Sequence, residues 1–434
     1  MVPRLPGATR RGVRRCVRRS VAVALQIDSL AVGGDGVGRS DGLAVFVPRT
    51  APGDVVEVEL EPHGRFARGR VLAWREHSAD RVEPPCIHYT RDRCGGCQLQ
   101  HLSESAQRRA KLSIVRDTLA RIGKVAPPVN DVRPAPSPWR YRISLTLAIR
   151  RDTRGDAVSW RFGLRDYEDP ERVFDLEDCL ITDERVLSAW REVRAAAHLL
   201  PNAQRLRGTV RWLGDNAALA ITGGSTWPTA QVTALERACP TLAVAYWSPE
   251  GARRRMMWDN RPKPAPPALS FTQVNPAVAT ELQADVVRHA VAHSPRTAID
   301  AYSGVGHTAQ TLARAGVVVT AIEMDREAAE WAAQHLTPPS QSIARRVEHA
   351  ITRALPADVV VLNPPRAGID ASVARALNAI TPLPRAIVYV SCDPATLARD
   401  VARLSHYAVT HVAPYDMFPQ TAHVETHCEL VPRV

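Results

Sequence analysis

The 434-residue sequence has no run of about 18 consecutive apolar residues, which excludes an ordinary membrane-spanning helix, and no membrane partner is expected. The start of the sequence does not read as a secretory signal either. The Arg-rich start (Arg4, Arg10, Arg11, Arg14, Arg15, Arg18, Arg19) is followed only by the short stretch Val21–Leu25, which soon alternates with polar residues. The expectation is a cytoplasmic protein whose eight cysteines stay reduced or bind metal rather than pair in disulfides. Lysine is nearly absent, with 3 residues against 53 arginines, a bias that coding composition can produce without selection for phosphate binding. The first twenty residues hold no acid and carry seven of the eleven surplus positive charges, so the rest of the chain is close to +4. The net charge therefore points only weakly to a polyanionic partner. A solvated tail is the simpler reading of this arm, and an RNA-touching arm is the other.

What is present fits a globular, multidomain chain: 45% apolar and 23% charged residues exclude a wholly disordered or collagen-like protein. After the arm (1–20), residues 21–77 show short period-two stretches (Val21, Val23, Leu25, Ile27; Val45, Val47; Val56, Val58, Leu60) separated by Gly33-Gly34-Asp35-Gly36, Pro52-Gly53-Asp54 and His63-Gly64. Strands joined by tight turns predict a small β-barrel, an architecture that often binds oligonucleotides. Residues 78–267 are mixed: a cysteine cluster, then an amphipathic helix near 101–123 that can pack on the last domain, and a strand at Tyr141–Ile149. The proline-rich Arg261–Pro267 reads as a linker. From 268 to 434, strand-like and helical segments alternate, which predicts a parallel sheet with crossover helices. Asn275-Pro276 fits a helix start with Asn accepting the free N–H groups.

Three strand ends of that last domain carry chemistry. Asp300-Ala-Tyr302-Ser-Gly304-Val-Gly306-His is a glycine-rich turn between a strand and a helix, and Glu323, twenty-three residues after Asp300, ends the next strand, where a carboxylate can accept from both ribose hydroxyls. A dinucleotide and S-adenosylmethionine both fit that spacing. The missing third glycine of the dinucleotide fingerprint favours the methyl donor. Asn363-Pro364-Pro365-Arg366 is either a rigid strand exit or a backbone that aims Asn363 at a ligand. In Val390-Ser391-Cys392-Asp393-Pro394, Cys392 stands where a nucleophile is wanted, and the following helix N-terminus is expected to favour its thiolate. A lone strand-end cysteine is nonetheless more often a small buried hydrophobe. Glu425, taken alone, reads as an exposed charge. Cys86-x7-Cys94-Gly-Gly-Cys97 is a metal-binding loop that needs a fourth ligand, with Cys179 far downstream. Zinc and a [4Fe-4S] cluster both suit the thiols, and the single Cys-x2-Cys pair favours the cluster slightly. Cys16, Cys239 and Cys428 have no partner pattern.

Together these residues resemble the RNA uracil-5 methyltransferase family over about residues 21–434, with Cys94-Gly-Gly-Cys-Gln-Leu-Gln-His101 close to the family's cluster signature. The resemblance implies a TRAM barrel, an α+β central domain and a Rossmann-like methyltransferase domain. It implies a [4Fe-4S] cluster on Cys86, Cys94, Cys97 and Cys179, and S-adenosylmethionine held by Gln273 (in Phe271-Thr-Gln-Val-Asn275), Tyr302, Glu323 and Asn363. It also makes Cys392 the nucleophile, Glu425 the base and RNA the partner, with 23S rRNA ahead of tRNA uridine 54 and the enzyme a monomer. Asn363 replaces the Asp of many members and marks a ribosomal subgroup with Asn-Pro-Pro-Arg. His307 stands where Asn is usual and His349 where an Asp often meets the adenine, two departures that bear on cofactor affinity. A non-catalytic RNA-binding factor that keeps the fold, and a nicotinamide-dependent redox protein with a metal cluster, are the competing classes.

Overall fold

The computed structural model describes residues 22–154 and 157–433; the basic arm and Cys16 lie outside the described residues. The chain forms two compact units, one of 22–29 and 36–79, the other of 30–35 and 80–433. It is a multidomain α/β protein with mixed sheets. Among the described residues, no helix is long and apolar enough to cross a membrane.

In the first unit, strands Ala22–Gln26, Val55–Pro62, Phe66–Glu76, Leu43–Val47 and Gly36–Ser40 lie side by side in that order. The period-two pattern turns Leu25, Ile27, Val45, Val47, Val56 and Val58 into one small core. Along Phe66–Glu76 the same alternation leaves Phe66, Arg68, Arg70, Leu72 and Trp74 exposed.

The second unit contains two sheets. Six strands, ordered Arg255–Asp259, Leu242–Ser248, Ala217–Thr222, Arg205–Trp212, Ser144–Arg154 and Ala157–Gly163, share a core with Val186, Trp190 and Val193 of helix Glu184–Ala195 and Leu235 of helix Thr229–Ala238. The other sheet has seven strands, ordered Gln341–Ala344, Val318–Glu323, Thr297–Ala301, Val359–Leu362, Ala386–Ser391, Glu425–Pro432 and Tyr407–Tyr415. Val359–Leu362 and Ala386–Ser391 are buried throughout, as expected of strands covered on both faces. Helices Pro276–Ala292 and His307–Arg314 cover one face. Helices Val347–Ala354, Ala371–Ala379 and Pro394–Arg403 cover the other, joined by Val115 of the much earlier helix Glu104–Thr118 and by Leu119, which follows it.

Two departures from the alternation matter. Strand Gln341–Ala344 and helix Val347–Ala354 escape it because the strand is a four-residue edge with no fully buried position. The sheet is also not wholly parallel. Glu425–Pro432 runs antiparallel to both neighbours, pairing Ser391 with Thr426 and Tyr415 with Glu425. Reversal places the first residue of that strand, rather than the last, at the edge where the parallel strands end.

Candidate active site

Ligands of open α/β sheets sit beyond the carboxyl ends of the strands, where the order of connection reverses. Here the reversal falls between Thr297–Ala301, whose chain goes on to Val318–Glu323 on one side, and Val359–Leu362 on the other. Leaving the first of these, Tyr302 adopts a left-handed φ of 62°, and the N–H groups of Tyr302 and Ser303 both donate to the Ile322 carbonyl at 2.9 and 3.2 Å. The Glu323 carboxylate accepts from Gly304 N (2.9 Å) and Asp325 N (2.7 Å). Each oxygen is thereby fixed and keeps a lone pair for a hydroxyl donor. Gly306, at φ 81°, has no room for a side chain, since a Cβ there would come within 2.8 Å of Ala332 Cβ. Asp300 is fully buried and accepts from Ala309 N at 3.0 Å; burial, assisted by the Glu323 charge, pushes its carboxyl up to about 7.

Residues 271–275 cross this edge. The Phe271 carbonyl lies 3.9 Å from the Cβ position of Gly304, and the Gln273 amide donates to Glu425 Oε1 at 3.3 Å. Asn275 takes the N-cap position ahead of Pro276 as expected, but its side chain accepts none of the helix's free N–H groups. Its side-chain amide reaches the Met417 carbonyl at 3.5 Å, because the residue is buried among neighbours that offer an acceptor instead.

Asn363 follows its strand, with its N–H toward the Ala301 carbonyl at 3.3 Å. The loop after it is held by helix Pro394–Arg403: Thr396 Oγ1 donates to the Arg366 carbonyl (3.0 Å), Arg399 to the Ala367 carbonyl (2.6 Å), and the buried Asp400 carboxylate accepts from Ile369 N (2.9 Å) and the Tyr389 hydroxyl (2.8 Å). Asp400 was not singled out from sequence. Its signal is a lone acid at helical spacing among Leu397, Ala398 and Val401, on the face that should be apolar.

Cys392, half-buried, follows strand Ala386–Ser391 and so stands at the same edge as Glu425. Burial first, and the Glu425 carboxylate second, push its thiol above the ordinary value, while Arg366 works the other way. Burial thus works against the thiolate that the following helix N-terminus led one to expect. Glu425 is buried rather than exposed, with Oε2 lacking a hydrogen-bond partner among the described residues, and burial pushes its carboxyl up to about 7 against the Gln273 amide and Arg366. His307 and His349 are both exposed.

Cys86, Cys94, Cys97 and Cys179 line one cavity of about 290 Å³, whose wall also includes Arg366 and His423. The Gly96 N–H points at Cys94 Sγ at 3.4 Å, and the Cys97 thiol is pushed up first by burial, then by the other three cysteines against a Gln100 hydrogen bond. The cysteine loop and the helix Glu104–Thr118 that follows it also brace the path to Glu425. Leu99 N donates to the Gln420 carbonyl (3.0 Å), Gln107 Nε2 to Gln420 Oε1 (2.9 Å), and Lys111 Nζ to buried Asp416 (2.5 Å).

A family profile described as tRNA (Uracil-5-)-methyltransferase matches residues 340–432, which hold Asn363, Cys392 and Glu425. The chain is 31% identical to an uncharacterized RNA methyltransferase of Halalkalibacterium halodurans, over 94% of this chain and 97% of that one. It is 33% identical to another of Gloeobacter violaceus, over 93% and 95%. A solved structure with a similar fold is the tRNA (uracil-54, C5)-methyltransferase of Pyrococcus abyssi in complex with S-adenosyl-L-homocysteine, with a TM-score of 0.64 and 24% identity over 94% of this chain and all of that one. Likeness along nearly the full length, with the profile falling on the segment that brings the thiol and the carboxylate to one sheet edge, makes this chain an RNA methyltransferase of the RNA uracil-5 methyltransferase family.

Proposed function

We propose that the protein methylates C5 of one uridine in RNA, with 23S rRNA as substrate, through a covalent adduct of Cys392. The observation that carries this reading is the arrival of Cys392 and Glu425 at one sheet edge from strands of opposite direction. S-adenosylmethionine, when bound at the strand ends, supplies the methyl group as a sulfonium. The residues there suit it: a pre-oriented Glu323 carboxylate for ribose hydroxyls, an open glycine turn at Gly304, and two large apolar side chains, Phe271 and Met324, left about two-thirds exposed beside it. Gln273, which meets Glu425, together with Tyr302 and Asn363, completes the rim.

C5 of uracil is too weak a nucleophile to take a methyl group unaided. Cys392, as thiolate, adds to C6 and leaves carbanion character at C5, which takes the methyl group as the methyl–sulfur bond of the sulfonium breaks and the neutral thioether leaves. Glu425 then takes the C5 proton, and the C6–S bond breaks to restore the ring and the thiolate. The target has to leave its stack to reach a thiol at a strand end, so a loop or flipped-out uridine is the substrate. The unit holding residues 36–79 is read as a TRAM barrel, whose outward Phe66, Arg68 and Trp74 alternate aromatic and cationic groups suited to single-stranded RNA.

Cys86, Cys94, Cys97 and Cys179 would hold a [4Fe-4S] cluster. Four thiols around one cavity, with a backbone N–H toward one sulfur, suit it. Methyl transfer moves no net electrons, so its part is to hold the loop that braces Gln420 and, beyond it, Glu425. A tRNA substrate is the second reading, favoured by the description of the matching profile. The test is mass-spectrometric mapping of 5-methyluridine in RNA from cells with and without the gene. Loss at one 23S rRNA position supports the first reading, loss at tRNA position 54 the second, and no loss in any RNA contradicts both.

A further inference from the structure

Away from the strand ends, three histidines meet where helix Pro276–Ala292 crosses the two antiparallel strands. His289 comes from the helix, His411 from a register shift in Tyr407–Tyr415, and His427 from Glu425–Pro432. One ring nitrogen from each lies within 4.8 Å of the others. The rings crowd one another, with centroids 4.4 Å apart for His289 and His411 and 4.7 Å for His289 and His427. His427 is fully buried, and neither of its ring nitrogens has a hydrogen-bond partner among the described residues; His411 Nε2 is likewise unpartnered. An imidazole carries one donor and one lone pair, so this cluster leaves buried polar atoms with nothing to bind. Glu429, two residues beyond His427 on the same strand face, lies with Oε1 3.3 Å from His289 Nδ1 and 2.8 Å from His293 Nε2. That holds the His289 ring by one nitrogen and frees the other, the arrangement by which carboxylates orient histidine ligands of metals.

We infer that His289, His411 and His427 form a binding site for one divalent transition-metal ion, zinc by preference, with Glu429 orienting His289. Nitrogen-only donors suit zinc and its neighbours rather than calcium or magnesium. Tetrahedral zinc needs ring nitrogens about 3.4 Å apart, a side-chain adjustment of about 1 Å from the geometry here. Partial exposure of His289 and His411 provides an entry path. The ion would tie helix Pro276–Ala292, which follows the Gln273 segment, to the strand that begins at Glu425.

Full-length protein purified anaerobically, cleared of loosely held divalent ions and assayed for iron and sulfide, is titrated with cobalt(II) and, in parallel, with zinc. The expected result is one equivalent of cobalt with weak d–d absorption and no sulfur-to-cobalt charge-transfer band, and a higher melting midpoint with zinc. Both responses should vanish in His427→Ala and His411→Asn at unchanged iron and sulfide, and Glu429→Gln should bind about ten- to hundred-fold more weakly. If the fully buried His427 variant does not fold, the partly exposed His289→Gln variant reads the same loss. Cobalt absorption carrying only the charge-transfer band of the cysteines, a melting midpoint unmoved by zinc, or binding that persists in every histidine variant would overturn the site.

Discussion

Cys392 and Cys97 are both lifted above the ordinary thiol range by burial, yet their surroundings differ. Beside Cys392 stand a carboxylate, Glu425, and a guanidinium, Arg366. Beside Cys97 stand three more thiols, Cys179, Cys94 and Cys86. Burial alone makes a thiol inert, so the neighbours separate the roles: a single sulfur among groups that can move a proton is equipped for attack, and four sulfurs facing each other are equipped to share a cation. The regions are also physically joined, since the loop that follows Cys97 holds Gln420 on the way to Glu425.

Exchanging the two thiols sharpens this contrast most. Cys392→Ala should lower turnover by more than about 10³-fold while iron, sulfide and melting midpoint stay at native values, measured by tritium release from C5-labelled uridine beside elemental analysis. Cys97→Ser should do the reverse in kind, stripping iron and sulfide and destabilising the fold by on the order of 4 kcal/mol, read by calorimetry. If Cys97→Ser kept its full cluster and lost only turnover, the contrast would break.

A smaller effect is expected at the cofactor rim. Glu323→Ala should weaken S-adenosylmethionine by about 1.5–3 kcal/mol, or roughly ten- to hundred-fold, by titration calorimetry; unchanged affinity would mean that the pocket lies elsewhere.

The smallest concerns Asp300, whose folded-state value of about 7 lies above its ordinary 3.8. Stability from the neutral carboxyl is fully present below the unfolded value and is lost as pH rises through about 7. Asp300→Asn should therefore match the native protein near pH 4 and exceed it by about 2–4 °C in melting midpoint above pH 7. Parallel melting curves at all pH values would show that Asp300 is not held neutral.

Much of this was legible before any coordinates. Strand-to-helix alternation and strand-end chemistry are local patterns, and they located Glu323, Asn363 and Cys392 at one sheet edge. Glu425 alone read as an exposed charge, because its burial depends on an antiparallel strand whose register only the fold reveals. Asn275 satisfied the pattern of a helix cap, yet its side chain donates to the Met417 carbonyl instead of accepting from the helix's free N–H groups, since a tertiary acceptor outcompeted the local donors. Burial opposes the expected Cys392 thiolate for a similar reason, as no sequence pattern reports how dry a strand end is. Asp400 and the bracing of Gln420 by Gln107 join residues far apart in the chain, beyond the reach of any window.

The central claim is that Cys392 forms, and Glu425 resolves, a covalent bond to the base. RNA carrying 5-fluorouridine at the target position, whose C5 fluorine cannot leave as a proton does, is incubated with enzyme and methyl donor and run on a denaturing gel. The account predicts a denaturant-resistant protein–RNA band for the native enzyme, the same band with ordinary RNA for Glu425→Gln, and none for Cys392→Ala. A band of full intensity from Cys392→Ala, or undiminished turnover by Glu425→Gln, would contradict it.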